Sequence, residues 1–315
     1  MSSYADQLST RALTREADAN AALKSNDNAR VAVARFIRRK PLGAFGGFLV
    51  LLMLFTAIFA DAIAPFPYDA GKGDDRLQTP SAAHIFGTDN QGRDMFSRIV
   101  YGSRVSVVIG FGAVFVGTGL ATIIGLLSGY AGGKFDLFFQ RVVDIWIAFP
   151  ALVLLIAIIT IFTTRNTDAP TSIAIVAVTL GLLVAANSSR VVRGAVLAVR
   201  NQAWMEAARG VGVTDARIIM RHVLPNVFPT ILILATVQLG AAILAESTLS
   251  FLGFGVKPPM PAWGSMLSGS GRQFFLIAPW LAIWPGLAIS LAVFGFNMFG
   301  DALRDVLDPR LRGTR

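Results

Sequence analysis

Six stretches of this chain contain no Asp, Glu, Lys or Arg and are mainly apolar: residues 42–60, 105–133, 145–164, 169–189, 223–245 and 273–300. A helix needs about 20 apolar residues to cross a hydrocarbon layer about 30 Å thick. The six runs are 19 to 29 residues long. None alternates as a membrane β-barrel strand must. The prediction is an all-α membrane protein with six transmembrane helices.

Composition points the same way. Apolar residues make up 54% of the chain and charged residues only 15%, where soluble proteins average about 25%. Six buried helices in a soluble protein would still need a charged surface. Disorder needs low hydrophobicity and high charge, so it is excluded too. There is no cysteine, which removes disulfides, thiolate metal sites, iron–sulfur clusters and cysteine nucleophiles. Two histidines, His84 and His222, are too few for a histidine-rich metal site, and no metal is expected.

The net charge of +9 reads as topology. With the N-terminus inside, the segments 1–41, 134–144, 190–222 and 301–315 hold 20 Lys/Arg, and the outer segments hold 8. That bias is what the positive-inside rule demands. The outer loop 61–104 offsets five Lys/Arg with six Asp. The expected organisation is a cytoplasmic tail 1–41, a transmembrane domain 42–300 and a cytoplasmic tail 301–315. The domain includes the outer loop 61–104 and a cytoplasmic loop 190–222. Residues 1–29 are Ser/Asn/Ala-rich without apolar period and read as a flexible tail. The run 42–60 is too long, and its polar lead too long, for a secretory leader, so it is expected to stay as the first helix.

Gly110, Gly112, Gly117, Gly119, Gly125, Ser128 and Gly129 crowd the second run. They follow no strand, so a nucleotide-binding loop is not indicated; close helix packing is. Pro150, Pro279 and Pro285 are expected to kink helices. Asp144 and Glu246 sit at the edges of runs, and no ionisable group falls near a midplane. That argues against an ion-coupled carrier.

The segment 200–226 carries the strongest signal. Helix formers at 201–209 meet Gly210 and Gly212, Thr214 and Asp215 suit the start of a second short helix over 216–222, and Pro225 marks the start of the fifth span. Ala207, Ala208, Val211, Val213, Ile218 and Ile219 are expected to form an apolar face. A DNA-binding helix-turn-helix has similar spacing. Tethered at both ends to spans, this segment could hardly enter a major groove, so no nucleic acid is expected. A docking surface for a cytoplasmic protein fits better.

The loop resembles the EAA motif of ABC-importer permeases. Its residues are Glu206-Ala207-Ala208, Gly212, and Leu224-Pro225. His222 stands where the general pattern has Ile; the dipeptide/oligopeptide/nickel branch usually has His there. Gly87-Thr88-Asp89 with Gly92-Arg93-Asp94 resembles that branch's outer-loop signature, and Leu249–Gly255 resembles the segment after its fifth span. Asp301, Arg304, Asp305, Asp308 and Arg310 resemble its C-terminal tail. The resemblance, to a C-type permease subunit, covers about residues 30 to 315. It implies a type I ABC-importer permease fold with both termini cytoplasmic, in a bacterial inner membrane, multi-pass and surrounded by lipid. It implies a second homologous permease, one or two ATP-binding-cassette subunits, an extracytoplasmic substrate-binding protein, and short peptides as substrate. The EAA-like loop becomes the coupling helix seated in an ATPase. The outer-loop signature is expected to be mainly architectural. Phe251 and Phe254 are expected to pack beneath the binding protein or to anchor at the interface.

The chain lacks a Gly-x-x-x-x-Gly-Lys-Ser/Thr loop, a Gly-x-Ser-x-Gly elbow and a His-Glu-x-x-His pair. It is expected to be non-catalytic and to bind no cofactor, with ATP and Mg used by partner subunits. A nickel chelate or related solute is the alternative cargo, and a secondary carrier the alternative class. The lack of buried charge suggests an unselective conduit with specificity set upstream.

Overall fold

The computed structural model describes residues 31, 34, 36–163 and 167–307. The tail 1–29 and the motif residues Asp308 and Arg310 lie outside the described residues. Among those described there is no strand, only two isolated bridges, Gly71 with Arg93 and Thr88 with Asp94.

The long helices follow the apolar runs. They are α1 (Pro41–Ile58), α2 (Met95–Ala131), α3 (Gly133–Ala148), α4 (Ala151–Phe162) and α5 (Ala169–Arg200). A short α6 (Ala203–Gly210) precedes α7 (Asp215–Phe251), a short α8 (Trp263–Met266) and α9 (Trp280–Leu307). The deepest seam joins α2 to α5. There Gly117, Gly125 and Gly129 of α2 face Val184, Val192 and Val196 of α5, where a Cβ would come within 2.6–2.9 Å of the valine side chains. The small residues let the two backbones approach, which maximises dispersion contact where no hydrophobic effect helps. Gly119 meets nothing and stays outside that seam. Elsewhere α1 lies against α9, with Gly43 set against Ala302 and Gly46 against the backbone around Gly295 and Met298. Large apolar side chains such as Leu51, Phe115, Phe138 and Val153 stand at the surface, 63–81% exposed. A bilayer covers such groups and water does not.

The third run differs from its prediction. It is not one span but the end of α3 and α4, set at 90°. Pro150 has no N–H to continue α3, and its ring pushes Phe149 out of the helical region, to φ −78°, ψ 138°. Twelve residues in α4 reach only about 18 Å. Among the described residues, therefore, five helices are long and apolar enough to cross, and a sixth crossing exists only if the bent pair counts as one. Pro279, expected to kink a helix, instead precedes α9, which holds Pro285 internally. The helix α7 also holds Pro229.

The segment 190–222, expected to be a cytoplasmic loop, is mostly helical. Helix α5 runs on through Arg190, Arg193 and Arg200. Those charges have partners on α3: Arg190 pairs with Asp144, and Arg193 makes a fork on Asp136 at 2.5 and 2.6 Å. A charge count ends the span at Ser189 because it cannot see that α3 supplies the anions. Likewise α2 begins inside the outer loop, with Asp94 as its N-cap accepting from the Ser97 amide at 2.7 Å. Glu246, expected at a span edge, is fully buried in α7 and meets the hydroxyls of Ser250 at 2.6 Å, Ser247 at 3.4 Å and Ser106 at 3.5 Å.

The alternation of helices brings Pro41, α6 and Leu307 to one end of the bundle. Lys40 and Asp305 pair there at 2.5 Å.

Candidate coupling surface

The helix α6 is an eight-residue hook between two long helices. Only Met205 is fully buried in it. With Ile218, Val223 and Val227 it fills a small second core against Leu126, Tyr130, Val192 and Val196, toward the C-terminal ends of α2 and α5. Burying a Met side chain is worth about 1.5–3 kcal/mol, and here it helps hold α6 against the bundle. The polar clasp beside it is Tyr130, whose hydroxyl donates to Asp215 at 2.5 Å while the Arg209 guanidinium lies 5.4 Å over its ring.

Helix α6 ends in a Schellman turn. Val213 N–H donates to Ala208 C=O at 3.3 Å and Gly212 N–H to Arg209 C=O at 2.9 Å. The turn needs a left-handed residue, and Gly212 has φ +81°. A Cβ at Gly212 would meet no other atom of this chain within 4 Å. So the glycine serves the turn and leaves open space outside it.

The motif residues divide clearly. Glu206 and Ala207 are exposed and Ala208 is half-buried. His222 is half-buried, its ring 5.9 Å from that of Trp204. Leu224 is half-buried and Pro225 exposed. The expected apolar face is only partly real: Ile218 is in the core and Ala208, Val213 and Ile219 pack at its edge. Val211 points away and is 82% exposed. A face with Glu206, Ala207, Val211 and Gly212 outward is left for something else to cover.

The second short helix, expected to stop at 222, does not stop. Thr214 sits at its N-cap position without a side-chain cap bond, and the helix continues from Asp215 through a π-helical segment, Ile219–Val223, into Leu224. Pro225 explains this. It cannot donate to the carbonyl of Arg221, and widening the turn lets Leu224 N–H donate to Ile219 C=O, five residues back. Met205, Tyr130 and Trp204 were not singled out from sequence. A lone large apolar residue in a polar, small-residue helix was the available signal for Met205.

The outer-loop motif lies at the opposite end and closes on itself. Asp89 is 2% exposed. It accepts from the Gln91 and Arg93 amides at 2.8 and 3.0 Å and from Arg93 Nε at 2.7 Å, with Arg98 Nε 3.7 Å away. Asp94 takes the Ser97 amide and hydroxyl and His84 Nδ1 at 2.9 Å. Thr88 receives the Gln78 amide and donates to Asp75 C=O. Gly92, at φ +72°, has no room for a Cβ, which would stand 1.9 Å from Lys72 C=O. Gly87 likewise abuts Trp280. Near the same loop, hydrogen bonds from Arg104 and Tyr101 hold the exposed Asp61 carboxyl below its usual range. In the C-terminal motif, Asp301, Arg304 and Asp305 are exposed. Among the described residues, no group of three His, Cys, Asp or Glu could hold a metal ion.

Residues 121–313 match the family of binding-protein-dependent transport system inner membrane components. Residues 30–80 match the N-terminal TM domain of oligopeptide transport permease C. The chain is 42% identical over 276 residues to the dipeptide transport system permease protein DppC of Alkalihalophilus pseudofirmus, which covers 88% of each chain. It is 38% identical over 279 residues to the glutathione transport system permease protein GsiD of Pectobacterium atrosepticum, covering 88% of this chain and 90% of that one. In fold it is similar to an inward-facing MetNI methionine ABC transporter, with a TM-score of 0.55 at 20% identity, over 68% of this chain and 98% of that chain.

Proposed function

This chain belongs to the family of binding-protein-dependent transport system inner membrane components, and from that premise we propose that it is the permease subunit of an ABC importer for short peptides. It is a multi-pass membrane component with no catalytic role of its own. The substrate class is supported by the relatives, whose names specify dipeptide and glutathione transport. The termini and α6 face the cytoplasm in this reading, supported by the bias of Lys/Arg toward that end.

The observation that carries the mechanism is the outward face of α6. Glu206 and Gly212 are exposed with open space beside them, while Met205 and Ile218 bind the hook to the bundle. An ATP-binding-cassette subunit would seat that face. ATP and Mg act in that subunit, and closure there pushes α6. Helix α6 transmits the push through Met205 to α2 and α5, and through the continuous helix from Asp215 to α7. The Lys40–Asp305 pair lies at the same end, between the start of α1 and the end of α9. A second homologous permease completes the path, and an extracytoplasmic binding protein delivers the peptide.

The test is to purify the tagged chain from mildly solubilised membranes with what accompanies it. A second permease and one or two phosphate-loop ATPases, with ATP-dependent peptide uptake after reconstitution, are expected. Recovery of the chain alone, with flux that survives ATP depletion and follows an ion gradient, would overturn the reading.

A further inference from the structure

At the end opposite the coupling surface, a cavity of about 460 Å³ lies between the loop Asp89–Arg93 and the segment Pro258–Gln273. It is within the size range of small-molecule sites, about 300–1,000 Å³. Its lining is of two kinds. One wall is polar: Arg93, Arg98, Asp89, Asn90, Gln91 and Gln273. The other includes Met95, Met260, Met266 and Leu281.

The polar wall is set for an anion. Asp89 is the only acid among the lining residues, against two arginines, and both its oxygens are already used by protein donors. It has no free oxygen for a cation. Arg93 is different. Its Nε is spent on Asp89, which fixes the guanidinium plane, yet among the described residues neither Nη makes a hydrogen bond. A planar fork held by one edge and open at the other suits a carboxylate. The side chains of Gln91 and Gln273 add donors at the rim. Asn90 Oδ1 already accepts from Ser270 at 2.6 Å, which leaves its amide nitrogen to donate. The methionine wall is apolar and adaptable, so it can accept side chains of different shapes.

We propose that this cavity takes the terminal carboxylate of a short peptide, with Arg93 as its principal ligand and the methionine wall receiving the last side chain. This deepens the peptide-importer reading and rests on it. A group common to all peptides would be recognised by charge, and the variable group by a tolerant surface. Such a site holds the peptide at the outer end of the path between release from the binding protein and passage.

The test uses the complete transporter, purified on a tag carried by this chain and placed in lipid nanodiscs without binding protein or nucleotide. Saturation-transfer NMR reads contact with alanyl-alanine and with alanyl-alaninamide, which lacks the carboxylate. The acid is expected to give a signal about tenfold stronger than the amide. Gln91→Glu with Gln273→Glu places two acids at the rim and leaves the Arg93–Asp89 pair intact. This double variant is expected to lose the acid's signal about tenfold, keep the amide's and keep the wild-type melting midpoint. Equal signals from acid and amide would overturn the proposal, as would a double variant that behaves as wild type. So would a double variant that keeps the peptide signal but no longer docks the binding protein, because the cavity would then be a docking socket. Uptake of alanyl-alanine by the wild-type transporter with ATP checks the premise separately. Absence of uptake would sink the importer reading rather than the cavity.

Discussion

The outer loop and the coupling hook look alike as text. Each is a short run of glycines and charges beside a long apolar helix. In the structure they are opposites. Around Asp89 and Asp94 the carboxylates are buried and closely partnered, with the Nη edge of Arg93 left open toward the cavity, and a Cβ on Gly92 or Gly87 would strike the chain itself. In α6 the charge of Glu206 is exposed, Val211 is 82% exposed, and a Cβ on Gly212 would strike nothing. A motif that satisfies its own donors and acceptors is architecture. A motif that leaves them open is shaped for something outside the chain. The same residue types can therefore mean two things, and the partners decide.

The comparison can be broken at four points. The largest effect should follow Asp89→Ala, which strands Arg93 and Arg98 in a nearly buried site. Removing one partner of a buried pair costs about 3–5 kcal/mol, so the yield of folded protein in the membrane and the melting midpoint in detergent should both collapse. Next is Met205→Ala, expected to cost about 2–5 kcal/mol of local packing. Protease nicking between residues 201 and 214 should rise while the rest of the bundle stays folded. A general loss of folded protein would mean that α6 is not a separable hook.

Gly212→Ala forces a Cβ into the left-handed region at a cost of about 1 kcal/mol. The bundle should survive, and if the turn faces the ATPase as proposed, ATP-driven uptake should fall more than that cost explains. Uptake falling only in proportion to folded protein would erase the distinction between the two regions. The smallest effect belongs to Asp305→Asn. Its pair with Lys40 is about 40% exposed on both sides, and exposed pairs are worth about 0.2–1 kcal/mol. The melting midpoint should scarcely move.

What the sequence makes legible follows the same division. The absence of charge over 19 or more residues is a local property, so the helices could be read directly. Their ends could not, because Arg190 and Arg193 are legible as helical only once Asp144 and Asp136 are known to lie across from them. The length of the run 145–164 concealed a right-angle bend, since counting apolar residues carries no direction; Pro150 was the clue. Pro225 read as a boundary, yet one widened turn carries the helix past it. At the proposed coupling surface, Glu206 and Gly212 were singled out from a motif, and the structure shows both exposed. Met205, which holds them in place, was not, because its meaning lies in its contacts with α2 and α5.

The most direct test of the central claim is peptide-stimulated ATP hydrolysis by the reconstituted transporter carrying Glu206→Lys. Glu206 is exposed and makes no contact that holds the bundle, so stability should change by less than about 0.5 kcal/mol. The account predicts normal amounts of folded, inserted protein with the stimulation and the uptake lost. Stimulated hydrolysis and uptake at wild-type rates would contradict it, and α6 would then be no more a coupling element than the outer loop.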